Sequence, residues 1–86
     1  MSNQTEVPEH SGQAVFQYFC HRLRRRWYVI EHGVDLFDAW YIKRHWGGLG
    51  RKQGRSMTLT FQSEHEMSVE LRRAIAHRCS RGYVQH

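Results

Sequence analysis

The stretch that decides the fold is WYIKRHWGGLGR, residues 40–51, where an alternating segment ends in a tryptophan and three glycines fall within four positions. The alternation over residues 40–46 predicts a β-strand, and the glycines predict a turn, because glycine adopts φ > 0 without steric cost. Missing Cβ atoms also let a phosphate or a sugar approach the main chain closely. These residues alone leave two interpretations open, a ligand-binding loop and an ordinary hairpin end.

The candidate binding residues of this stretch combine an aromatic ring, a glycine and several cations. Strand alternation places Arg44 on the same side of the sheet as Trp46, whose ring offers a flat surface for stacking, and Lys43 on the other side. We therefore predict that Arg44 holds a phosphate beside a sugar resting on Trp46. The full candidate set for nucleic-acid binding is Lys43, Arg44, Trp46, Gly47, Arg51, Lys52 and Arg55.

Further strand signals lie on both sides. Residues 14–20 and 27–30 are rich in valine and aromatic side chains, which predicts two strands joined by the basic run at residues 22–26. Residues 33–38 contain glycine and two aspartates and predict a loop. Strict alternation over residues 57–61 predicts another strand. The natural topology is a meander.

A helix is predicted to follow. Ser63 stands three residues before Glu66, the capping-box spacing in which the two side chains satisfy each other's N–H groups. Gly82 suits a left-handed helix stop, with Tyr83 or Val84 folding back as the apolar contact. The stripe at helical spacing consists of Met67, Leu71, Ala74, Ile75 and Arg78.

This stripe is predicted to pack on the strand face that carries Met57, Leu59 and Phe61. The expected fold class is therefore α+β, an antiparallel sheet of about four to five strands with one C-terminal helix packed on one face. Residues 1–13 are polar and without apolar periodicity, which predicts a disordered N-terminal tail, and residues 14–86 are predicted to form a single domain.

The charge balance points to an anionic partner. The 86-residue chain has a formal charge of +5, and from Ala14 onward 13 basic side chains stand against six acidic ones, a net +7. Such an excess favours polyanions, although a solvated basic surface without a specific partner stays open. The cations form three groups, before the second strand, around the glycines and on the helix. We favour the loop group, because cations near a helix C-terminus also suit its dipole.

Several other function classes find no support. Ser63 is better used as a helix cap, no cysteine has a local histidine signature, and the glycines lack the lysine and helix of a nucleotide-binding loop, so no enzyme and no cofactor is expected. Cys20 and Cys79 are far apart in sequence, and we expect no metal. Asp35 and Asp38 mimic paired carboxylates, but in a loop they form Asx turns. With no signal peptide and no long apolar run, we expect a cytoplasmic monomer without a membrane partner.

Taken in order, the motifs resemble the WGR domain. The resemblance covers residues 16–83 and is carried by Arg26-Trp27-Tyr28, Asp35-Leu36-Phe37, Trp40, Arg44, Trp46-Gly47-Gly48-Leu49-Gly50-Arg51, Phe61-Gln62-Ser63 and Arg81-Gly82-Tyr83. It is similar above all to small stand-alone bacterial members. The family fold, an antiparallel sheet with a helix packed across it, agrees with the pattern above.

The resemblance also implies a function. In poly(ADP-ribose) polymerases the domain helps to detect DNA breaks, and its motif tryptophan lies against a sugar at a strand end, a role that falls here on Trp46 with close backbone approach at Gly47. The motif arginine, which in the polymerases helps to join neighbouring domains and the DNA, falls on Gly48 and is absent. No catalytic activity carries over. The resemblance thus implies nucleic-acid binding, with DNA ends or nicks preferred, and the alternative is a protein-interaction module without nucleic-acid binding.

Overall fold

The computed structural model describes residues 14–86, a five-stranded antiparallel sheet and one α-helix. In chain order the elements are β1 (Ala14–His21), β2 (Arg26–Val34), β3 (Trp40–Gly48), β4 (Arg55–Phe61), α1 (Glu64–Ser80) and β5 (Val84–Gln85). The strands lie side by side in the order β4-β3-β2-β1-β5. The first four strands form a meander, and β5 returns after the helix to pair with β1. The predicted α+β class is confirmed, while the expected tail at residues 1–13 lies outside the described residues.

The central strands are longer than predicted. Strands β2 and β3 pair without interruption from Arg26 with Gly48 to Val34 with Trp40. The predicted loop at residues 33–38 is therefore wrong for its first two residues, because pairing on both sides of β2 overrides the turn preference of its glycine. The turn begins at Asp35, whose Oδ1 accepts hydrogen bonds from the N–H groups of Phe37 (2.8 Å) and Ala39 (3.0 Å). This Asx turn confirms the prediction for Asp35.

The glycine run is mostly strand rather than turn. Gly47 and Gly48 are the last two residues of β3, and of the three glycines only Gly50 has a positive φ, +83°. Gly50 therefore supplies the left-handed conformation that the connection to β4 requires. The other two glycines need a different explanation, which their neighbours provide.

Both ends of the helix follow the local signals. Ser63 is the N-cap, and its Oγ accepts from the N–H of Glu66 at 3.1 Å. The Glu66 carboxylate accepts from the N–H of Gln62 at 3.3 Å, one residue before the predicted partner. At the other end Gly82 has φ +94°, its N–H donates to Cys79, and the N–H of Tyr83 donates to Arg78, both at 3.1 Å. This is a Schellman stop, and it turns Tyr83 back onto the sheet.

The core lies between α1 and the inner strands. Ile30 and Ile42 are fully buried, and Phe19, Tyr28, Met67 and Ala74 complete the buried cluster. The predicted packing of the helix on β4 is confirmed for Phe61, which contacts this cluster, but not for Met57 and Leu59, the other two residues of the predicted face. Met57 and Leu59 are 49% and 41% exposed, because β4 is an edge strand and the core is centred on β2 and β3. The described helix is neither long nor apolar enough to cross a membrane.

Candidate nucleic-acid interface

A cleft of about 400 Å³ opens on the helix side of the sheet, where the end of α1 approaches β2 and β3. Its described lining contains five arginines, three aromatic side chains and one methionine, and no acidic residue. We call it the arginine cleft, defined by Arg24, Arg26, Tyr28, Arg44, Trp46, Met57, Arg78, Arg81 and Tyr83. Because guanidinium groups stay charged at all physiological pH values, the cleft concentrates positive potential.

The five arginines come from three separate segments. Arg24 lies in the turn after β1, Arg26 begins β2, and Arg44 lies in β3. Arg78 lies in the last turn of α1, and Arg81 is the C-cap of that helix. The β2–β3 register, which pairs Tyr28 with Trp46 and Ile30 with Arg44, brings the strand members to one face beneath the helix end. Anion-binding groups distant in sequence thus meet at one place.

Aromatic rings form the centre of this cleft. The rings of Tyr28 and Trp46 are stacked, with centroids 5.9 Å apart and planes 15° apart, and Tyr83 meets Tyr28 edge-on at 5.8 Å. The guanidinium carbon of Arg78 lies 4.3 Å from the Tyr28 centroid and 5.1 Å from that of Tyr83. Such cation–π contacts contribute about 0.5–1 kcal/mol each and fix the position of a long side chain. Arg78 is therefore held in place before any ligand arrives.

Arg44 occupies a distinct position in the cleft. Its Nη2 forms an ion pair with Glu70 Oε2 at 3.2 Å, which links β3 to α1. Its Nε is buried and has no hydrogen-bond partner among the described residues. Glu70 also lies 3.9 Å from Arg73 on the next turn of the helix. The guanidinium of Arg44 is thus neutralised by one carboxylate yet keeps a free donor.

The structure places the other sequence-predicted residues around the cleft or away from it. Arg55 pairs with Trp46 across β3 and β4, so it lies on the cleft side of the sheet without lining the cleft. Arg51 and Lys52 are exposed in the turn after β3. Lys43 is on the opposite face, where it lines a second cavity of about 380 Å³. The predicted sidedness of Arg44 and Trp46 against Lys43 is confirmed by the register.

Gly47 lies against Trp27, a tryptophan of the neighbouring strand. It pairs with Trp27 of β2, on the face opposite the cleft, and a Cβ at this position would lie 2.8 Å from Trp27 Cζ2. The Trp27 ring is anchored by a 3.3 Å hydrogen bond from its Nε1–H to the carbonyl of Arg51. The indole of Trp27 therefore occupies the space that a side chain at position 47 would need. Gly48 differs, since a Cβ there would meet nothing closer than Arg51 Cδ at 3.7 Å.

The sheet face opposite the helix carries its own polar cluster. Glu31 accepts a 2.7 Å hydrogen bond from the Tyr41 hydroxyl and lies 3.1 Å from His45 Nε2. Burial alone would raise the pKa of Glu31, but the hydrogen bonds from Tyr41 and His45 and the charges of His45 and Lys43 outweigh it and lower that pKa. Burial and the contact with Glu31 raise the pKa of Tyr41 to about 12. The carboxylate is thus neutralised within its own face and stays separated from the cleft by the sheet.

Of the nine residues that line the cleft, only Arg44 and Trp46 belong to the binding set predicted from the sequence. Arg24, Arg26, Arg78 and Arg81 are visible as members of the first and third basic groups, but the sequence favours the loop group over them. The spacing of Arg78 and Arg81 by three residues, and the shared parity of Arg26 and Tyr28, are signals for a common face. Without the strand register no signal indicates that the three groups meet.

Metal-ligating side chains do not cluster in the part of the chain that the structure describes. Among residues 14–86 no group of three or more His, Cys, Asp or Glu side chains lies close enough together to hold an ion. Cys20 and Cys79 are both free thiols. What the described part offers instead is a concentration of permanent positive charge around aromatic rings, an arrangement suited to binding a polyanion.

Fold and cleft together define a class, a small basic domain with one helix packed across an antiparallel sheet and an arginine-rich cleft at the helix end. The family model described as the WGR domain matches residues 13–86, nearly the whole chain. This chain belongs to the WGR domain family, which is known for nucleic-acid-binding modules rather than catalytic domains. Searches of curated proteins and of solved structures gave no match.

Proposed function

We propose that this protein is a non-enzymatic nucleic-acid-binding module that prefers DNA ends or nicks. The observation that carries the proposal is the arginine cleft, where five guanidinium groups surround aromatic rings and no acidic residue lines the described wall. Guanidinium groups pair with phosphate oxygens through two parallel hydrogen bonds, and neutralising phosphates releases counterions. In this proposal the arginines hold backbone phosphates while Trp46 lies against the sugar of a strand end.

The remaining candidate residues take supporting roles. Arg55 extends the positive surface beyond the cleft, and Arg51 and Lys52 reach phosphates further along the strand from the exposed turn. Lys43 adds to the long-range attraction from the other face. Gly47, which follows Trp46 at the end of β3, leaves room for the Trp27 ring because it has no side chain. The proposal includes a monomeric, cytoplasmic, bacterial protein without cofactor.

The experiment is a set of titrations with fluorescently labelled duplexes of one sequence in blunt, nicked and closed-circular form, each at two salt concentrations. The cleft variant is Arg26→Gln, and its control is Arg72→Gln, an exposed helix arginine outside the cleft lining. We expect Arg26→Gln to weaken binding and to reduce the salt slope by about 0.9 log units for each phosphate that the variant no longer neutralises. Arg72→Gln should weaken binding less than about twofold and leave the salt slope unchanged, because it removes only long-range attraction.

Trp46→Ala tests the preference for ends. We expect it to remove the difference between nicked and closed DNA while leaving the salt slope unchanged, because stacking on a sugar is not an ionic contact. Trp46→Phe keeps a ring against Tyr28 and controls for reduced packing. Equal affinity of the native protein for ends and closed circles rejects the end preference, and equal effects of Arg26→Gln and Arg72→Gln reject the cleft as the binding site.

A second candidate function is protein interaction through the uncovered sheet face. Phe16 and Tyr18 are 45% and 53% exposed there, with ring centroids 6.2 Å apart, and the exposed Val84 of β5 lies on the same face. Exposed aromatic side chains are enriched in protein interfaces. Binding of one protein that is insensitive to salt and abolished by Tyr18→Ser, without DNA affinity at physiological salt, would favour this function over the first.

A further inference from the structure

The arginine cleft adjoins a smaller cavity of about 180 Å³ on the helix side, and the two share Tyr28, Arg44 and Arg78 as lining residues. The smaller cavity also contains Glu70, with Arg73 and His77 nearby on the same helix. Across the described lining of both cavities, Glu70 is the single acidic residue. A negative charge therefore lies in a site whose other lining residues are arginines, aromatic or imidazole rings, Met57 and Ala74.

Glu70 contacts only one of the two nitrogens that form one edge of the Arg44 guanidinium. Nε and Nη2 form the side-on edge through which an arginine binds two oxygens of a carboxylate or a phosphate. Glu70 Oε2 takes Nη2 at 3.2 Å, while Nε is buried and has no partner among residues 14–86. A buried N–H without a partner has given up its hydrogen bonds to water without replacement, which is unfavourable. The Arg44 edge is thus incompletely satisfied by its internal partner.

We propose that Glu70 is an internal counter-anion for Arg44, which a phosphate group of the ligand must displace in order to bind. A phosphate offers two oxygens at the spacing of the side-on edge, so it satisfies Nε and Nη2 together, and Glu70 turns to the nearby Arg73. Without ligand, Glu70 neutralises the partly buried guanidinium of Arg44. When a phosphate binds, the free energy of displacing Glu70 reduces the affinity for the ligand, so Glu70 determines that affinity without touching the ligand.

This inference rests on the proposed function for its ligand, but the two can be tested apart. The central variant is Glu70→Gln, which keeps an oxygen that can accept from Arg44 and removes only the charge. The matched control is Glu64→Gln, which makes the same charge change on an exposed residue six positions earlier, about 9 Å along the helix. General attraction raises the affinity of both variants, whereas the exchange acts at Glu70 alone.

The first arm measures the affinity for nicked duplex DNA. We expect Glu70→Gln to bind about three- to tenfold more tightly than the native protein, the size expected for removing one competing charge next to a bound phosphate. Glu64→Gln should bind less than about twofold more tightly, because its charge lies about a Debye length from the contact. In an Arg44→Gln background, the gain from Glu70→Gln should fall to that of the control.

The second arm needs no nucleic acid. The side-chain Nε–H resonance of Arg44, identified by its absence in Arg44→Gln, is followed by ¹⁵N NMR during titration with inorganic phosphate. We expect the shift to saturate at a lower phosphate concentration in Glu70→Gln than in the native protein and in Glu64→Gln. A Glu70 that only fastened the helix to the sheet would lower the melting temperature when replaced and would not change this midpoint.

The outcomes separate the two proposals. If DNA binds through the cleft and both glutamate variants bind equally, the exchange is rejected and the proposed function stands. If Glu70→Gln weakens binding, Glu70 positions Arg44 for the ligand and the exchange is also rejected. If no variant binds DNA but phosphate reaches Arg44 more readily in Glu70→Gln, the exchange stands and the proposed function is rejected. If no variant binds DNA and phosphate gives the same midpoint in all variants, both proposals are rejected.

Discussion

Replacing Gly47 by alanine should destabilise the protein, whereas the same change at the next residue, Gly48, should not. Both glycines end β3 with ordinary negative φ values, so neither change meets backbone strain. At Gly47 the new Cβ would lie 2.8 Å from Trp27 Cζ2 and 2.9 Å from Cε2. At Gly48 the nearest atoms, Arg51 Cδ at 3.7 Å and the Arg25 carbonyl oxygen at 3.9 Å, are at ordinary contact distances.

The expected magnitudes follow from these distances. The Trp27 ring must retreat by about half an ångström to accept the Cβ, and its hydrogen bond to the Arg51 carbonyl opposes that movement. Overpacking of this kind costs about 1–3 kcal/mol, partly offset by a gain of about 0.5–1 kcal/mol from restricting the unfolded chain. Gly47→Ala should therefore lower the free energy of unfolding by about 1 kcal/mol, and by at most about 2.5 kcal/mol. Gly48→Ala should raise it by about 0.5–1 kcal/mol, because only the second effect acts there.

The assay is urea unfolding monitored by tryptophan fluorescence and by circular dichroism. We expect equal m-values and midpoints that move in opposite directions, with melting temperatures about 10 °C apart, since 1 kcal/mol corresponds to about 4–8 °C in a domain of this size. In a Trp27→Leu background the cost of Gly47→Ala should disappear, since the clashing ring is gone. Equal stability of the two alanine variants, or a cost that persists without Trp27, would refute this explanation of the glycine.

Three other predictions concern the motif arginine, the pH dependence and the helix stop. Gly48→Arg restores the residue type of the family motif at a position with space for a Cβ. It should tighten DNA binding and steepen the salt slope by about 0.9 in the titrations described above. An unchanged slope would count against a phosphate contact at this position. Burial lowers the pKa of His32 below its ordinary value of 6.5, so the unfolded chain binds more protons below that pH. Stability should therefore fall as the pH drops from 6.5 through the folded pKa of His32, and urea midpoints across this range should lose part of their pH dependence in His32→Asn. Gly82→Ala should lower the free energy of unfolding by about 1 kcal/mol, because residue 82 has φ +94° and the new Cβ would lie 2.8 Å from His21 Nε2. If thermal unfolding shows a loss no larger than that of Ser80→Ala, the left-handed helix stop is not its cause.

Local interactions explain why much of the fold could be predicted. The cap at Ser63 and the stop at Gly82 depend on residues within one helical turn, and the Asx turn at Asp35 depends on the four residues that follow it. The alternation of residues 57–61 likewise gives the correct face for Phe61. Such signals lie entirely within short segments, and no distant contact is needed to interpret them.

Burial on the sheet could not be predicted in the same way. Met57 and Leu59 have the same alternation as Phe61, but whether a face is covered depends on where the helix crosses and on which strand is at the edge. The role of Gly47 was hidden for a similar reason, because Trp27 is twenty residues earlier and becomes its neighbour only through the β2–β3 register.

The sequence by itself determined the family, the α+β class, the capped helix and the excess of positive charge. It also identified Arg44 and Trp46 as neighbours on one face, since that relation depends only on strand parity. The tertiary structure alone decided that Arg24 and Arg26 meet Arg78 and Arg81 around Tyr28, and that Glu70 faces Arg44. The physical reason is that periodicity fixes which way a side chain points along its own element, whereas a site is formed by pairing and packing between elements distant in the chain.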